Sequence, residues 1–165
     1  MIRGPNVMKG YLNQPDATAQ VIRDGWYVTG DVAVIDADGF IRITDRLSRF
    51  SKIGGEMVPH LGVEEAILNV LAGTDDVQSM AVTGVPDSRK GERLVVVHTG
   101  LGKPVAQVIK ELAQAGLPPL WIPSPNSFIQ VEELPLLGTG KLDLRKLKQI
   151  AAGASTDTAP QESRE

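Results

Sequence analysis

The most chemically suggestive feature of this 165-residue chain is a lysine at the tip of a glycine-rich turn, Gly138-Thr139-Gly140-Lys141. A phosphate-cradling P-loop needs an earlier glycine at fixed spacing and Ser or Thr after the lysine; Leu142 follows here, so that reading is excluded. What remains is an ammonium on a long stem, presented by a turn able to approach another domain closely. Facing a phosphate ~4 Å away, such a charge is worth about 1 kcal/mol in water and several at lower effective dielectric. A carboxylate and a guanidinium stand at the ends of two strand-like runs, Asp31 in Thr29-Gly30-Asp31 and Arg46 in Thr44-Asp45-Arg46. Together they offer an acceptor for sugar hydroxyls and a partner for phosphate.

Other familiar chemistries are missing. Cysteine is absent, which removes disulfides, thiol nucleophiles and Cys-based zinc sites, and fits a cytoplasmic chain. The two histidines, His60 and His98, lie outside any metal-ligand spacing, so no metal site is expected. Neither GxSxG nor GxGxxG occurs. Asp36, Asp38 and Gly39 could suggest a calcium loop, but Val34 stands where a further acidic ligand is needed. A net charge of −3 argues against nucleic acid, and the cluster Lys141, Arg145, Lys146, Lys148 reads as the solvated face of a last helix. No apolar run reaches the ~18 residues that span a bilayer, so a soluble chain without a transmembrane segment is expected.

The elements that must carry these groups follow from hydrophobic period and turn residues. Val32–Ile35 and Phe40–Ile43 alternate around an Asp-Gly turn and predict a β-hairpin. Residues 49–58 read as extended, interrupted by Gly54-Gly55. Leu61, Val63, Ala66, Ile67, Val70 and Leu71 have helical spacing, stopped by Gly73. A strand over Val77–Val82, a loop over Val85–Glu92 and a strand over Leu94–His98 come next. A helix then begins at Pro104, with Val105, Val108, Ile109 and Leu112 inward and Gly116 as its stop. The four prolines of residues 117–125 exclude regular structure there. A strand over Ser127–Val131 follows, and then a helix capped by Asp143 with Leu144, Leu147 and Ile150 inward. The fold class expected is α+β: a small mixed sheet of about three strands with packed helices, preceded by a β-hairpin segment. The domains expected are a β-rich segment over 1–47, an α+β body over 48–150, and a small, polar, disordered tail over 151–165.

Six ordered stretches resemble a known family. They are GPNVMKGY, GWYVTGD (Gly25 to Asp31), DADGFIRITDR (Asp36 to Arg46), RFSKIGGEMV (Arg49 to Val58), GVPDSRKGE (Gly84 to Glu92) and PLLGTGKLD (Pro135 to Asp143). Over residues 4 to about 148 they resemble the C-terminal third of the adenylate-forming enzymes: acyl-CoA synthetases, peptide-synthetase adenylation domains and luciferases. RFSKIGGEMV and PLLGTGK look most like the acyl-acyl-carrier-protein synthetase part of the 2-acylglycerophosphoethanolamine acyltransferase group. The resemblance implies that residues 1–47 end a large N-terminal adenylation domain and that 48–150 form its mobile lid. By the same resemblance Lys141 supports adenylation as the catalytic lysine, while Asp31 and Arg46 bind ATP or AMP. Ser48 is then the hinge, and Gly54, Gly55 and Glu56 face the pantetheine tunnel.

The implied reaction is ATP-dependent acyl activation, with Mg2+, followed by thioester formation on acyl carrier protein (or CoA) phosphopantetheine. A fatty acyl substrate in fatty acid or phospholipid metabolism is implied. The implied place is the cytoplasm, and the parent can be attached to the cytoplasmic face of a membrane. Two departures stand out: Asp45 replaces the usual Gly before Arg46, and Ser48 replaces the common Asp or Lys of the hinge. The family's phosphate loop, acyl-site and adenine-binding stretches are not in these residues, so the fragment alone is expected to bind no cofactor and to be inactive. The alternatives are an acyl-CoA ligase, an amino-acid adenylation domain, or a free-standing, non-catalytic interaction module.

Overall fold

The computed structural model describes residues 1–71 and 79–156, without the side chains of residues 45, 155 and 156. The chain divides into two compact units, Met1–Ser48 and Arg49–Glu165.

In the first unit a short helix α1 (Pro15–Val21) leads into a two-residue-per-strand hairpin, β1 (Ile22–Arg23) and β2 (Trp26–Tyr27). The longer hairpin follows, β3 (Asp31–Ile35) against β4 (Ile41–Arg46). Its turn is held by Asp36, whose carboxylate accepts the N–H groups of Asp38 (3.1 Å) and Phe40 (2.8 Å). That aspartate is therefore occupied in turn formation, the ordinary use of Asx chemistry. Val34, Ile35, Phe40, Ile41 and Ile43 are each more than half exposed. A hairpin with that much exposed apolar surface is marginal alone.

The second unit begins with β5 (Phe50–Ile53) and β6 (Glu56–Pro59), an antiparallel pair, followed at once by α2 (His60–Leu71). Strands β7 (Met80–Asp87) and β8 (Gly91–His98) form the longest hairpin. Helix α3 (Val105–Gln114), strand β9 (Phe128–Gln130) and helix α4 (Leu144–Thr156) complete the unit. The sheet runs β6-β5-β8-β7. Strand β7 takes one edge of β8 along its length, while β5 (through Ile53 and Gly91) and the parallel β9 share the other. Leu94 and Val96 point to one core with α2 and α3, Val95 and Val97 to a second core with α4. Coverage of both faces explains why residues 94–97 are apolar without alternation.

The α+β class holds, with corrections in detail. The sheet has five strands rather than about three. Residues 85–92, expected as a loop, instead continue both strands of a hairpin around residues 88–90. Pro86 is tolerated there because it has the strand parity of Val82, whose N–H points away from β8 to Glu64 (2.6 Å). The donor that proline lacks would face the free edge of the sheet. In α2 the buried face is His60, Val63, Ile67 and Leu71, while Leu61, expected inward, is 38% exposed. Helix α4 passes residue 150, where the disordered tail was expected to begin, and reaches Thr156. Ala151 is fully buried beside Leu147 and so adds a further turn of packing. The expected stop at Gly73 and the strand start at Val77 lie outside the described residues, as do residues 157–165.

Candidate functional site

In the first unit, the pairing of β3 with β4 sets Asp31 directly across from Arg46. The two side chains form an ion pair, Arg46 Nε to Asp31 Oδ1 at 2.9 Å, with Asp31 19% exposed and Arg46 66%. The backbone at this position is tied locally, the Asp31 N–H donating to Thr29 Oγ1 (3.2 Å). An exposed guanidinium beside a half-buried carboxylate offers one group for a phosphate oxygen and another for a hydroxyl. These two predicted site residues are thus brought together by register, although they lie far apart in sequence.

Ser48 is the last residue of the first unit and the middle residue of a short 3-10 turn, Leu47–Arg49; it is exposed.

In the second unit, Gly54 and Gly55 form the two-residue turn between β5 and β6, with φ of +58° and +94°. Such a turn needs positive φ at both central positions, which glycine adopts without strain. The Gly54 N–H donates to the Lys90 carbonyl (2.9 Å), and Leu120 packs 3.6 Å from where a Gly54 side chain would begin. Glu56, at the start of β6, is exposed. Beside this turn is a cleft of about 140 Å³, lined in part by Ile53, Asp87, Lys90, Arg93, Leu120 and Ser127. It is smaller than the ~300 Å³ at which small-molecule pockets usually begin. Asp87 in its wall is held below the usual carboxylate range by the N–H groups of Lys90 and Arg89.

Lys141 is exposed on a turn of the second unit whose frame is well tied. The Leu137 N–H donates to the Lys141 carbonyl (2.7 Å), the Gly140 N–H to that of Leu137 (2.8 Å), and the Asp143 N–H to that of buried Pro135 (2.8 Å). Asp143 then caps α4, accepting the N–H groups of Arg145 and Lys146 at 3.0 Å each. The lysine is thus a mobile charge on a firm base, fixed by Leu147 in the core behind it.

One cluster of polar groups had no sequence signature as a set. Arg49 and Glu64 form an ion pair with side chains only 11% and 13% exposed. The second Glu64 oxygen accepts the Val82 N–H. Two residues after Arg49, the Ser51 hydroxyl meets His60 Nε2 at 2.9 Å; both residues are buried. Gly84 makes room for them, since a side-chain carbon there would lie 1.8 Å from Ser51 Oγ. A glycine inside an apolar strand was the one available hint of a close approach.

Burial, together with the positive charges of Arg49 and Lys148, pushes the His60 pKa from 6.5 down to about 4. The folded state therefore favours neutral His60. Its contribution is complete above the unfolded value of 6.5 and is lost as pH falls toward 4, because the unfolded chain binds the extra proton there. The shift corresponds to about 3 kcal/mol. Urea midpoints measured from pH 7 to pH 4 should fall in the wild type, and the slope should flatten in His60→Gln, which keeps a polar group against Ser51. Equal slopes in the two proteins would contradict this.

Among the described residues, no group of three or more His, Cys, Asp or Glu could hold a metal ion, and no helix is long and apolar enough to cross a membrane.

Residues 63–141 match the AMP-binding enzyme C-terminal domain family. The chain is 39% identical over 144 residues to feruloyl-CoA synthase of Amycolatopsis sp, covering 86% of this chain and 28% of that protein. It is 40% identical over 153 residues to 2-succinylbenzoate–CoA ligase of Geobacillus sp. (strain WCH70), covering 91% of this chain and 30% of the relative. The crystal structure of ATP-bound MatB from Rhodopseudomonas palustris aligns with a TM-score of 0.70 at 32% identity, over 90% of this chain and 29% of that one. The chain thus spans less than a third of the length of these relatives. The matched residues run from α2 to Lys141 on its turn, and this part of the chain is accordingly a domain of the AMP-binding enzyme C-terminal family.

Proposed function

We propose that this chain is the lid-bearing part of an ATP-dependent acid–thiol ligase that joins a carboxylic acid to coenzyme A. The observation carrying this reading is Lys141 on its tied turn, inside the matched family domain, in a chain whose relatives are named as CoA synthases and ligases. In the first half-reaction the carboxylate attacks the α-phosphorus of ATP, the bond to the β-phosphate breaks, and pyrophosphate leaves as the acyl-adenylate forms. The Lys141 ammonium then counters the negative charge that builds between carboxylate and phosphate, a preorganised electrostatic contribution. Asp31 accepts hydroxyls of the ribose, and Arg46 both steadies Asp31 and presents positive charge to phosphate. In the second half-reaction the lid turns about Ser48. The Gly54-Gly55-Glu56 turn, with no side chain on its first two residues, then borders the path of the pantetheine thiol. A Mg2+ ion accompanying ATP would be held by phosphate oxygens, since no cluster of ligands for it occurs among the described residues.

The finer reading of an acyl carrier protein as acceptor, with a fatty acyl substrate, rests on RFSKIGGEMV and PLLGTGK alone. The names of the relatives favour CoA and include aromatic acids. A cytoplasmic location goes with this proposal, because ATP and CoA are used there. Assay of the parent protein with CoA and with holo-carrier protein as competing thiols tests the acceptor. Thioester on CoA at a kcat/KM at least tenfold higher is expected; preference for the carrier protein would restore the narrower reading, and no adenylate with any acid would overturn both.

A further inference from the structure

The region around Ser48 has a change of character at a single residue. Arg46, Leu47 and Ser48 are exposed, whereas the next side chain, that of Arg49, is 11% exposed and locked to Glu64. Desolvated charge pairs with satisfied lone pairs are far more costly to separate than exposed ones. Here both carboxylate oxygens are engaged: one Glu64 oxygen takes the Arg49 guanidinium and the other takes the Val82 N–H (2.6 Å), while Arg49 Nε is buried without a hydrogen bond. Three parts of the second unit, the start of β5, helix α2 and strand β7, are thereby joined through one carboxylate. Ser51 and His60 tie β5 to α2 a second time, in space left by Gly84.

We propose that Arg49 and Glu64, seconded by Ser51 and His60, are positioning residues that fix where the turning body begins. They confine the bend to residues up to Ser48, so that Lys141 and the Gly54-Gly55 turn move as one piece. This rests on the reading of Ser48 as the pivot. Without the clamp, torsion would spread into residues 49–51, and both working surfaces of the lid would arrive in a broader range of orientations. A small angular error at the pivot is a displacement of several ångströms at the far side of a domain, and misplacement of even ~1 Å can cost about 10²-fold in rate.

The test is hydrogen exchange on this chain together with kinetics of the parent protein. In the wild-type chain the Ser51 and Val82 amides should be protected and that of Ser48 should exchange readily; fast exchange at Ser51 overturns the proposal. The variant Arg49→Met/Glu64→Gln removes both charges together and keeps an amide oxygen for the Val82 N–H. It should retain protection at Val82 and in β8 while Ser51 protection drops at least tenfold; unchanged Ser51 protection overturns the clamp. Arg49→Lys, which keeps the pair, should stay near wild type, and this comparison still decides the matter if the double variant fails to fold. In the parent protein the double variant should lower kcat at least tenfold and leave KM for acid and ATP unaltered; an unaltered kcat overturns the positioning role. A parent protein that forms no adenylate, with the exchange pattern as stated, would instead count against the ligase reading alone.

Discussion

Replacing Lys141 by alanine in the parent protein should lower adenylation by at least about 10²-fold, while conversion of presupplied acyl-adenylate to thioester should stay within a few-fold of wild type. The expectation follows from charge and placement. The lysine stands exposed on a turn closed by main-chain bonds on both sides, so its base does not move while its ammonium can reach outward. Negative charge between an attacking carboxylate and the α-phosphate grows at the transition state, where a single preorganised group commonly contributes on the order of 10²–10³ in rate. In thioester formation the thiol attacks the acyl carbon and AMP departs, and on the proposed reading the lid has by then turned the lysine elsewhere. Single-turnover measurement of both half-reactions checks this. A solvated surface lysine would leave both steps near wild type, and equal loss in both would point to damage to the lid as a whole.

The second large effect concerns folding. Gly84→Ala should destabilise the chain by roughly 2–6 kcal/mol, read as a lowered urea midpoint. The first added carbon would lie 1.8 Å from Ser51 Oγ and 3.1 Å from Ser51 Cβ, so the serine must move. Overpacking a filled site costs about 1–3 kcal/mol. Displacing Ser51 also leaves His60, 3% exposed, without its 2.9 Å hydrogen bond, and an unsatisfied buried polar group adds about 1–3 kcal/mol. The double variant Gly84→Ala/Ser51→Gly relieves the clash and should recover part of the loss but not the share belonging to His60. Full stability in the single variant would mean that β5 can retreat from β7 at no cost, which the closeness of the cores on both faces of the sheet argues against.

Much of the architecture was legible because it rests on local rules. The hairpin β3–β4 announced itself by alternation around Asp36 and Gly39, and the turn bonds of Asp36 realise that reading. Helix α3 and the cap of α4 by Asp143 were readable from spacing and terminal residues. The errors arose where burial outweighed propensity. Leu61 is outside and His60 inside because Ser51 supplies a partner in the core, which the helical period of α2 could not show. Residues 85–92 look loop-like by composition, yet β-pairing carries them, since the free edge of β7 makes no demand on Pro86. Ala151 seemed part of a polar tail, and only the contact surface of β7 and β8 makes it a core residue.

By itself the sequence determined the residue types able to do chemistry, the turns that carry Lys141 and Gly54-Gly55, and the absence from these residues of a cysteine nucleophile and of a P-loop. These depend on covalent identity and short-range geometry, which a linear reading contains. Tertiary structure alone decided that Asp31 faces Arg46 across a β-ladder, that Arg49 and Glu64 share one buried bond, and that Gly84 must lack a side chain. Each of those pairings joins residues well separated along the chain. Their free energy exists only after water has been removed and the two partners have been brought into register.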